Sequence, residues 1–142
     1  METPKARVVA SLVKGGETEK VTINVGYVDL GQIDLMVRDG FYSNRTDFIR
    51  TAIRSQLDRH ADVVKQSIGR KKLDLGLRHY SRADLERARA DGELVRIQVL
   101  GLARIADDVS PELARAAIGS VAVLGALQAS PAVKAALADR LE

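Results

Sequence analysis

The chain has 142 residues, 46% of them apolar, and 22 Lys and Arg stand against 19 Asp and Glu, for a net charge of +3. This length suits one ordinary domain or two small ones, and the apolar share argues against wholesale disorder. Because cysteine is absent, disulfides and thiolate metal sites are excluded. The charge is too evenly mixed to indicate a nucleic-acid partner by itself.

Two segments need to be tested against targeting and membrane patterns. The first 18 residues lack the apolar core and cleavage site of a signal peptide, and we predict a flexible N-terminal arm over 1–18. The run between Arg115 and Lys134 is uncharged and approaches the roughly 20 residues of a membrane span. Gly119, Gly125 and Pro131 interrupt it, which favours a strand, a turn and a helix start over a spanning helix.

Residues 20–25 alternate between polar and apolar side chains. The polar positions are Lys20, Thr22 and Asn24, and the apolar positions are Val21, Ile23 and Val25. A period of two is typical of a strand with one buried face and one solvent-exposed face, and Gly26 ends the predicted strand. A lone strand cannot satisfy its backbone hydrogen bonds, so the pattern predicts a partner strand, most simply from a second copy.

Two helices are predicted after this strand. For the first, Asp29 is the expected N-cap with Gln32 as its capping-box partner, and Gly40 is the expected C-cap. For the second, Asn44 is the expected N-cap, with Asp47 at the third helical position. The apolar spacing predicts that this second helix runs to Gly69, through Phe48, Ile49, Ala52, Ile53, Leu57, Ala61, Val64 and Ile68.

The segment Glu19 to His60 resembles the ribbon-helix-helix (Arc/MetJ/CopG-type) DNA-binding proteins. The alternating strand, the turn "DGFYSNRTDF" and the amphipathic helix "FIRTAIRSQL" carry the resemblance. It implies a homodimer in which two strands pair antiparallel and four helices intertwine. The implied dimer core comprises Val21, Ile23, Val25, Ile33, Met36, Phe48, Ile49 and Ile53.

The same resemblance implies double-stranded DNA as the partner. A two-stranded ribbon fits the major groove, where Lys20 suits guanine, Asn24 suits adenine, and Thr22 offers a hydroxyl or a methyl group. The family's phosphate clamp falls on Asn44, Arg45 and Thr46, where a helix N-terminus attracts an anion. Two basic groups stay open between phosphate contact and solvated surface, namely Arg50, Arg54 and Arg59 on the second helix and the following "GRKK" at 69–72.

Beyond Gly69 an internal repeat of 24 residues appears. The equivalent positions are Leu73, Ile97 and Val121, and also Leu75, Val99 and Val123. We expect a glycine after each strand and then a serine N-cap: Gly76 and Ser81, Gly101 and Ser110, Gly125 and Ser130. Pro111 and Pro131 are expected at the first helical position, with Gly92 and Gly119 ending the first two helices.

The predicted fold class is α+β, with a ribbon-helix-helix domain over 19–68 and a β/α repeat module over 69–142. The module would be a small parallel sheet with helices on one side, solenoid-like in its three strand-turn-helix units, unless the repeat is accidental within an ordinary α/β domain. Its apolar last strand predicts an oligomer interface at Val121, Val123 and Leu124, and hence assembly within or between dimers.

No enzyme is predicted. His60 and His79 have no Cys, His or paired carboxylates at metal-ligand spacing, so we expect no metal and no cofactor. The interpretation is therefore a sequence-specific transcriptional repressor in the bacterial cytoplasm, associated with the nucleoid. Two alternatives stay open: an antitoxin of a toxin-antitoxin pair, and a self-assembling scaffold or nucleoid-associated protein.

Overall fold

The computed structural model describes residues 18–142, so the predicted arm lies outside the described residues except for Thr18. Two compact units follow one another, Glu19–Ser67 and Ile68–Glu142. The elements in chain order are α1 (Tyr27–Arg38), α2 (Arg45–Arg59), α3 (Ala61–Lys71), β1 (Asp74–Tyr80), α4 (Arg82–Ala90), β2 (Val95–Ile105), α5 (Pro111–Ala117), β3 (Ile118–Gln128), α6 (Pro131–Ala136) and a 3₁₀ turn (Ala138–Arg140).

The first helix begins earlier than predicted and ends as predicted. Gly26 is its N-cap, and the Leu30 N–H donates to the Gly26 carbonyl at 2.9 Å. Asp29 therefore lies within the first turn, and its assignment as N-cap is wrong. At the other end, Gly40 has φ +86, and the N–H of Phe41 donates to the Met36 carbonyl at 3.0 Å, which is a Schellman ending.

The second helix confirms its predicted N-cap but not its predicted length. The Asp47 N–H donates to Asn44 Oδ1 at 2.8 Å. The Asp47 carboxylate in turn accepts from the N–H of Ser43 at 2.9 Å, and not from that of Asn44 as a simple capping box requires. At His60 the N–H donates to the Leu57 carbonyl, three residues back, so the last turn tightens and α3 starts as a separate helix.

Residues 18–26 are assigned to neither a helix nor a strand. The predicted strand over 20–25 needs a partner for its backbone hydrogen bonds, and a single chain supplies none. That strand stays a prediction.

The second unit contains a three-stranded parallel sheet in the order β1-β2-β3. Its register confirms the 24-residue period between β2 and β3, where Ile97 pairs with Val121. Between β1 and β2 the period is 25, because Leu75 pairs with Leu100. The predicted equivalence of Leu75 with Val99 is therefore wrong by one residue in the sheet.

Glycines lie inside the strands and not after them, contrary to expectation. Gly76 pairs with Gly101, and Gly101 with Gly125, so the three form one row across the sheet. All three have positive φ, and a Cβ on Gly101 would stand 2.1 Å from the Gly76 carbonyl oxygen. A Cβ on Gly125 would meet the Gly101 oxygen at the same distance. We refer to this row as the glycine ladder.

The helices of this unit begin where the sequence predicts. Ser81, Ser110 and Ser130 each accept a backbone N–H at the third helical position, and Pro111 and Pro131 begin their helices. Gly92, with φ +70, follows the end of α4 as predicted. Gly119 does not end α5, because that helix already stops at Ala117 and β3 begins directly at Ile118.

One apolar core joins the helices to one face of the sheet. Its fully buried side chains include Leu85 from α4, Ile97 and Ile105 from β2, Ile118 from β3 and Leu137 after α6. Val121 belongs to this core and Val123 packs against it, whereas Leu124 is exposed on the opposite face. Of the three predicted interface residues, Leu124 is therefore exposed, Val123 is partly buried and Val121 is buried.

The C-terminal residues close against β3. Leu141 forms a parallel bridge with Val121, and the Glu142 N–H donates to the Val121 carbonyl at 2.8 Å. Arg115 of α5 contacts Asp139 at 2.8 Å and so fixes the 3₁₀ turn. Within residues 18–142, no helix is both long and apolar enough to cross a membrane.

Candidate nucleic-acid interface

The residues predicted to read bases are every second residue of the segment 20–25, which is assigned to neither a helix nor a strand. Lys20, Thr22 and Asn24 are all exposed. The residues between them are exposed as well, with Val21 at 77% and Ile23 at 68% of their full accessibility. In a single chain both the polar and the apolar residues of the segment are thus accessible to solvent.

The N-terminus of α2 brings together the three predicted phosphate ligands. Asn44 is occupied as the N-cap, which leaves the N–H groups of Arg45 and Thr46 without an intrahelical acceptor. Both side chains are exposed, and so is that of Asn44. Such a helix start attracts anions through its free N–H groups and the positive end of its dipole.

Arg45 is already engaged by a residue that the sequence did not single out. Its Nε lies 2.7 Å from Oδ1 of Asp34, and its Nη2 lies 2.8 Å from Oδ2, so the pair is bidentate. Asp34 belongs to α1, eleven residues earlier. No helical spacing links these two positions, and only the packing of α1 on α2 brings them together.

This ion pair changes the titration of both groups. The hydrogen bond from Arg45 lowers the pKa of the Asp34 carboxyl below its ordinary value. The same bond raises the pKa of Arg45. Both side chains are about half exposed, so water and salt reach the pair and weaken its attraction. A phosphate approaching Arg45 therefore competes with a screened carboxylate for the guanidinium.

The predicted dimer core is mostly uncovered in the single chain. Of its members only Ile33 is buried, while Met36 and Phe48 are partly buried. The Phe48 ring meets Tyr42 edge-on, with the ring centres 5.0 Å apart. The exposed members are Val21, Val25, Ile23, Ile49 and Ile53, and α2 as a whole has no buried residue.

The remaining charged groups do not suggest another kind of site. Arg50, Arg54 and Arg59 are exposed on α2, and each stays open between phosphate contact and solvated surface. Over the described range 18–142, no three His, Asp or Glu side chains cluster as metal ligands.

Comparison with known proteins decides the family. A model described as the ribbon-helix-helix transcriptional regulator family matches residues 16–134. The chain belongs to this ribbon-helix-helix family. The match takes in both compact units, so it extends well past the segment Glu19–His60 on which the resemblance in sequence rested. Ribbon-helix-helix regulators bind DNA and typically dimerise, which makes this chain a DNA-binding transcriptional regulator.

A relative supports the same conclusion over a shorter stretch. The transcriptional regulator CdrS of Halobacterium salinarum is 34% identical over 44 residues, which cover 80% of CdrS and 31% of this chain. No solved structure matches this ribbon-helix-helix chain.

Proposed function

We propose that the protein is a homodimeric, sequence-specific repressor that reads the major groove with a ribbon made of residues 20–25 from two chains. The observation that carries this proposal is the exposure of the apolar residues of that segment. Val21 and Ile23 are more than two-thirds exposed in the single chain, and their polar neighbours Lys20, Thr22 and Asn24 point to the other side of a strand.

Pairing with a second copy removes this apolar surface from water. An antiparallel partner strand provides hydrogen-bond partners for the backbone groups of residues 20–25. The α2 helices of the two chains also cover each other's Ile49 and Ile53, which are 38% and 54% exposed in the single chain. Burying a Val or Ile side chain contributes about 1.5 to 3 kcal/mol, so several such side chains per chain make the dimer the folded unit.

The paired strands then offer one continuous polar face to DNA. A lysine donates to guanine O6 and N7, and an asparagine bridges adenine N6 and N7. The N–H groups of Arg45 and Thr46 hold a backbone phosphate and so fix how deeply the ribbon enters the groove. Specificity thus comes from residues 20–24, and much of the affinity comes from the start of α2.

Repression follows from occupancy. A dimer that covers its operator excludes other proteins from that stretch of DNA, and the module over 69–142 extends the covered length when it links neighbouring chains. Adjacent bound dimers gain affinity from such a link without new base contacts.

Selection of binding sites from random duplexes tests the proposal. Full-length protein is expected to enrich a two-fold symmetric site, because the paired strands are related by two-fold symmetry. The double variant Lys20→Ala, Asn24→Ala is expected to enrich no site, and Lys134→Ala, an exposed lysine of the module, serves as the charge-matched control. Enrichment of the same site by the double variant would contradict reading by the ribbon.

A further inference from the structure

The sheet of the second unit has a face that its helices do not cover. Core residues come from alternate strand positions such as Ile97, Val99 and Val121, so the positions between them face the other way. Two apolar rows cross that face. One row consists of Leu75, Leu100 and Leu124, and the other of Leu77, Leu102 and Ala126, with the residues of each row paired in register. We refer to these six residues as the leucine face.

The outer members of the leucine face are open to solvent. Leu75 on β1 is 71% exposed and Leu124 on β3 is 55% exposed. On the central strand, Leu100 is half-buried and Leu102 is 9% exposed, although neither joins the helix-side core. The face is thus apolar across all three strands.

Polar rows border the leucine face at both ends. At one end Gln98 pairs with Ala122, with Arg96 and Ser120 one row farther out, and His79, Arg104 and Gln128 form the row at the other end. Arg104 Nε donates to Gln128 Oε1 at 2.9 Å, and this bond holds the Arg104 guanidinium along the row. An apolar centre within a polar rim is the usual layout of a protein interface.

We propose that the leucine face packs against the leucine face of a second copy of this chain. Parallel sheets occur almost only with both faces covered, and here the helices cover one. A face-to-face pair of sheets is an established way to bury two apolar faces, and a two-fold axis through Leu100 makes the surface self-complementary. This inference rests on the proposed homodimer, which already holds two such modules in one particle.

The size of the face indicates why the homodimer matters. The strands β1 and β2 share seven paired residues. With strands about 4.8 Å apart and a rise of about 3.3 Å per residue, the face covers roughly 300 Å² per copy. Stable independent complexes bury about 1,200 to 2,000 Å² in total, roughly two to three times what two such faces provide. Contact between leucine faces therefore needs copies that are already tethered, at an effective concentration on the order of millimolar.

The rim gives this contact a salt dependence of its own. A two-fold axis through the centre brings the Arg96 end of one copy towards the Arg104 end of the other. Salt screens that repulsion and leaves the apolar contact in place. Added salt is thus expected to strengthen contact between modules, whereas it weakens DNA binding because phosphate contacts release counterions.

Single cysteines provide the test, because the full-length chain has none. Leu100→Cys places a thiol near the proposed axis, and a short bifunctional maleimide that spans about 10 Å, the separation of two packed sheets, is expected to yield a linked dimer on a denaturing gel. Ala135→Cys, exposed on α6 on the helix side of the sheet, is the matched control and is expected to stay unlinked. Adding Leu75→Lys and Leu124→Lys to Leu100→Cys is expected to abolish the link, and added salt to increase it.

Three outcomes overturn the inference. They are equal linking of the Leu100→Cys and Ala135→Cys proteins, linking that survives the two lysines, and a Leu100→Cys protein that stays unlinked. In the unlinked protein, a thiol protected from a small alkylating reagent would mean that the face is covered within its own chain, and a reactive thiol would mean that the face stays open to solvent. Full-length protein that is dimeric and binds its site, yet gives one of these outcomes, contradicts the inference alone. Protein that neither dimerises nor binds DNA contradicts the proposed function itself.

Discussion

Asp34 and Arg45 form a bidentate ion pair that joins α1 to the start of α2, with Nε–Oδ1 and Nη2–Oδ2 distances of 2.7 and 2.8 Å. The pKa of Asp34 is lowered by this bond, so the carboxylate stays charged at neutral pH. A lowered carboxyl pKa stabilises the fold above the ordinary carboxyl range of about 4, and this contribution is lost as the pH falls through the folded-state pKa. At the pH of DNA binding, Arg45 therefore always has an internal competitor for phosphate.

Removing that competitor is expected to strengthen DNA binding. Asp34→Asn takes a negative charge away from the phosphate site and frees Arg45, so affinity should rise by a similar factor for specific and random duplexes. Arg45→Ala should weaken both and reduce the slope of log affinity against log salt by about 1. Salt titrations by fluorescence anisotropy measure both effects.

A closely matched control exists in the second unit. Asp139→Asn breaks the pair between Arg115 and Asp139, whose shortest contact is 2.8 Å. It should leave DNA affinity unchanged, because that pair fixes the C-terminal turn. A weaker-binding Asp34→Asn protein would mean that Asp34 holds Arg45 in place for the phosphate and does not compete with it.

Loss of the polar side chains of the ribbon should remove specificity and little else. In Lys20→Ala, Asn24→Ala, each lost base contact is expected to cost about 1 to 3 kcal/mol of specific binding. Dimer mass and helix content should stay the same, since both side chains are exposed. A gel-shift titration with specific and scrambled duplexes measures the change, and unchanged discrimination between them would rule out these contacts.

A charge on the apolar side of the same segment should have a different effect. Ile23→Asp places an unpaired carboxylate in the proposed dimer core, and the chain should lose both its dimeric mass and the helix content of Glu19–Ser67. Thr22→Asp, one residue away on the polar side, should keep the dimer and lose only DNA binding. Light scattering and circular dichroism distinguish the two. A folded dimeric Ile23→Asp protein would contradict the shared core.

The glycine ladder predicts a local intolerance of side chains. Gly101 has φ +139, and a Cβ there would stand 2.1 Å from the Gly76 oxygen, so Gly101→Ala should cost at least about 2 kcal/mol of folding free energy. Gly69→Ala is the control, because Gly69 lies in α3 with open space around it. That control should be stabilising by about 0.5 to 1 kcal/mol. Denaturant unfolding compares them, and equal stabilities would argue against the strained row.

Removal of Leu73–Glu142 should separate binding from assembly. The shortened chain keeps residues 1–72, with α1, α2 and the proposed ribbon, and should still form a dimer that binds one operator. It should lose cooperative filling of two adjacent operators, an advantage on the order of 100-fold for tethered modules. Analytical ultracentrifugation with one-site and two-site duplexes measures this. Independent filling by full-length protein would remove the assembly role.

Local chemistry explains what could be predicted from the sequence. A cap acts over three or four residues, so Asn44, Ser81, Ser110 and Ser130 indicate helix starts without knowledge of the fold. The positive φ of Gly40 could likewise be predicted, because the C-terminal cap of α1 involves only residues within a few positions of the glycine. The ribbon-helix-helix family was recognisable for the same reason, because its strand, turn and second helix follow one another within about forty residues.

Features that depend on contacts between distant residues could not be predicted. The Asp34–Arg45 pair exists only because α1 packs on α2. The register of β1 was predicted one residue off because leucine and valine count alike in an apolar pattern, so the pattern does not distinguish Val99 from Leu100. In the structure, the close approach of the two backbones aligns Gly76 with Gly101. The burial of Val121 and the exposure of Leu124 likewise depend on which face of β3 the helices cover, and that is set by packing between distant residues.

The row of glycines also restricts how the sheet can grow. Gly125 stands on the last strand and continues the row begun by Gly76 and Gly101. A further parallel strand that continued this row in register would place its own residue next to Gly125, and a side chain there would meet the Gly125 backbone as a Cβ on Gly101 would meet that of Gly76. A parallel strand in this register therefore needs glycine at that position. Beyond the contact that Leu141 and Glu142 make at Val121, the edge of β3 thus restricts by shape which segments can pair with it in this register.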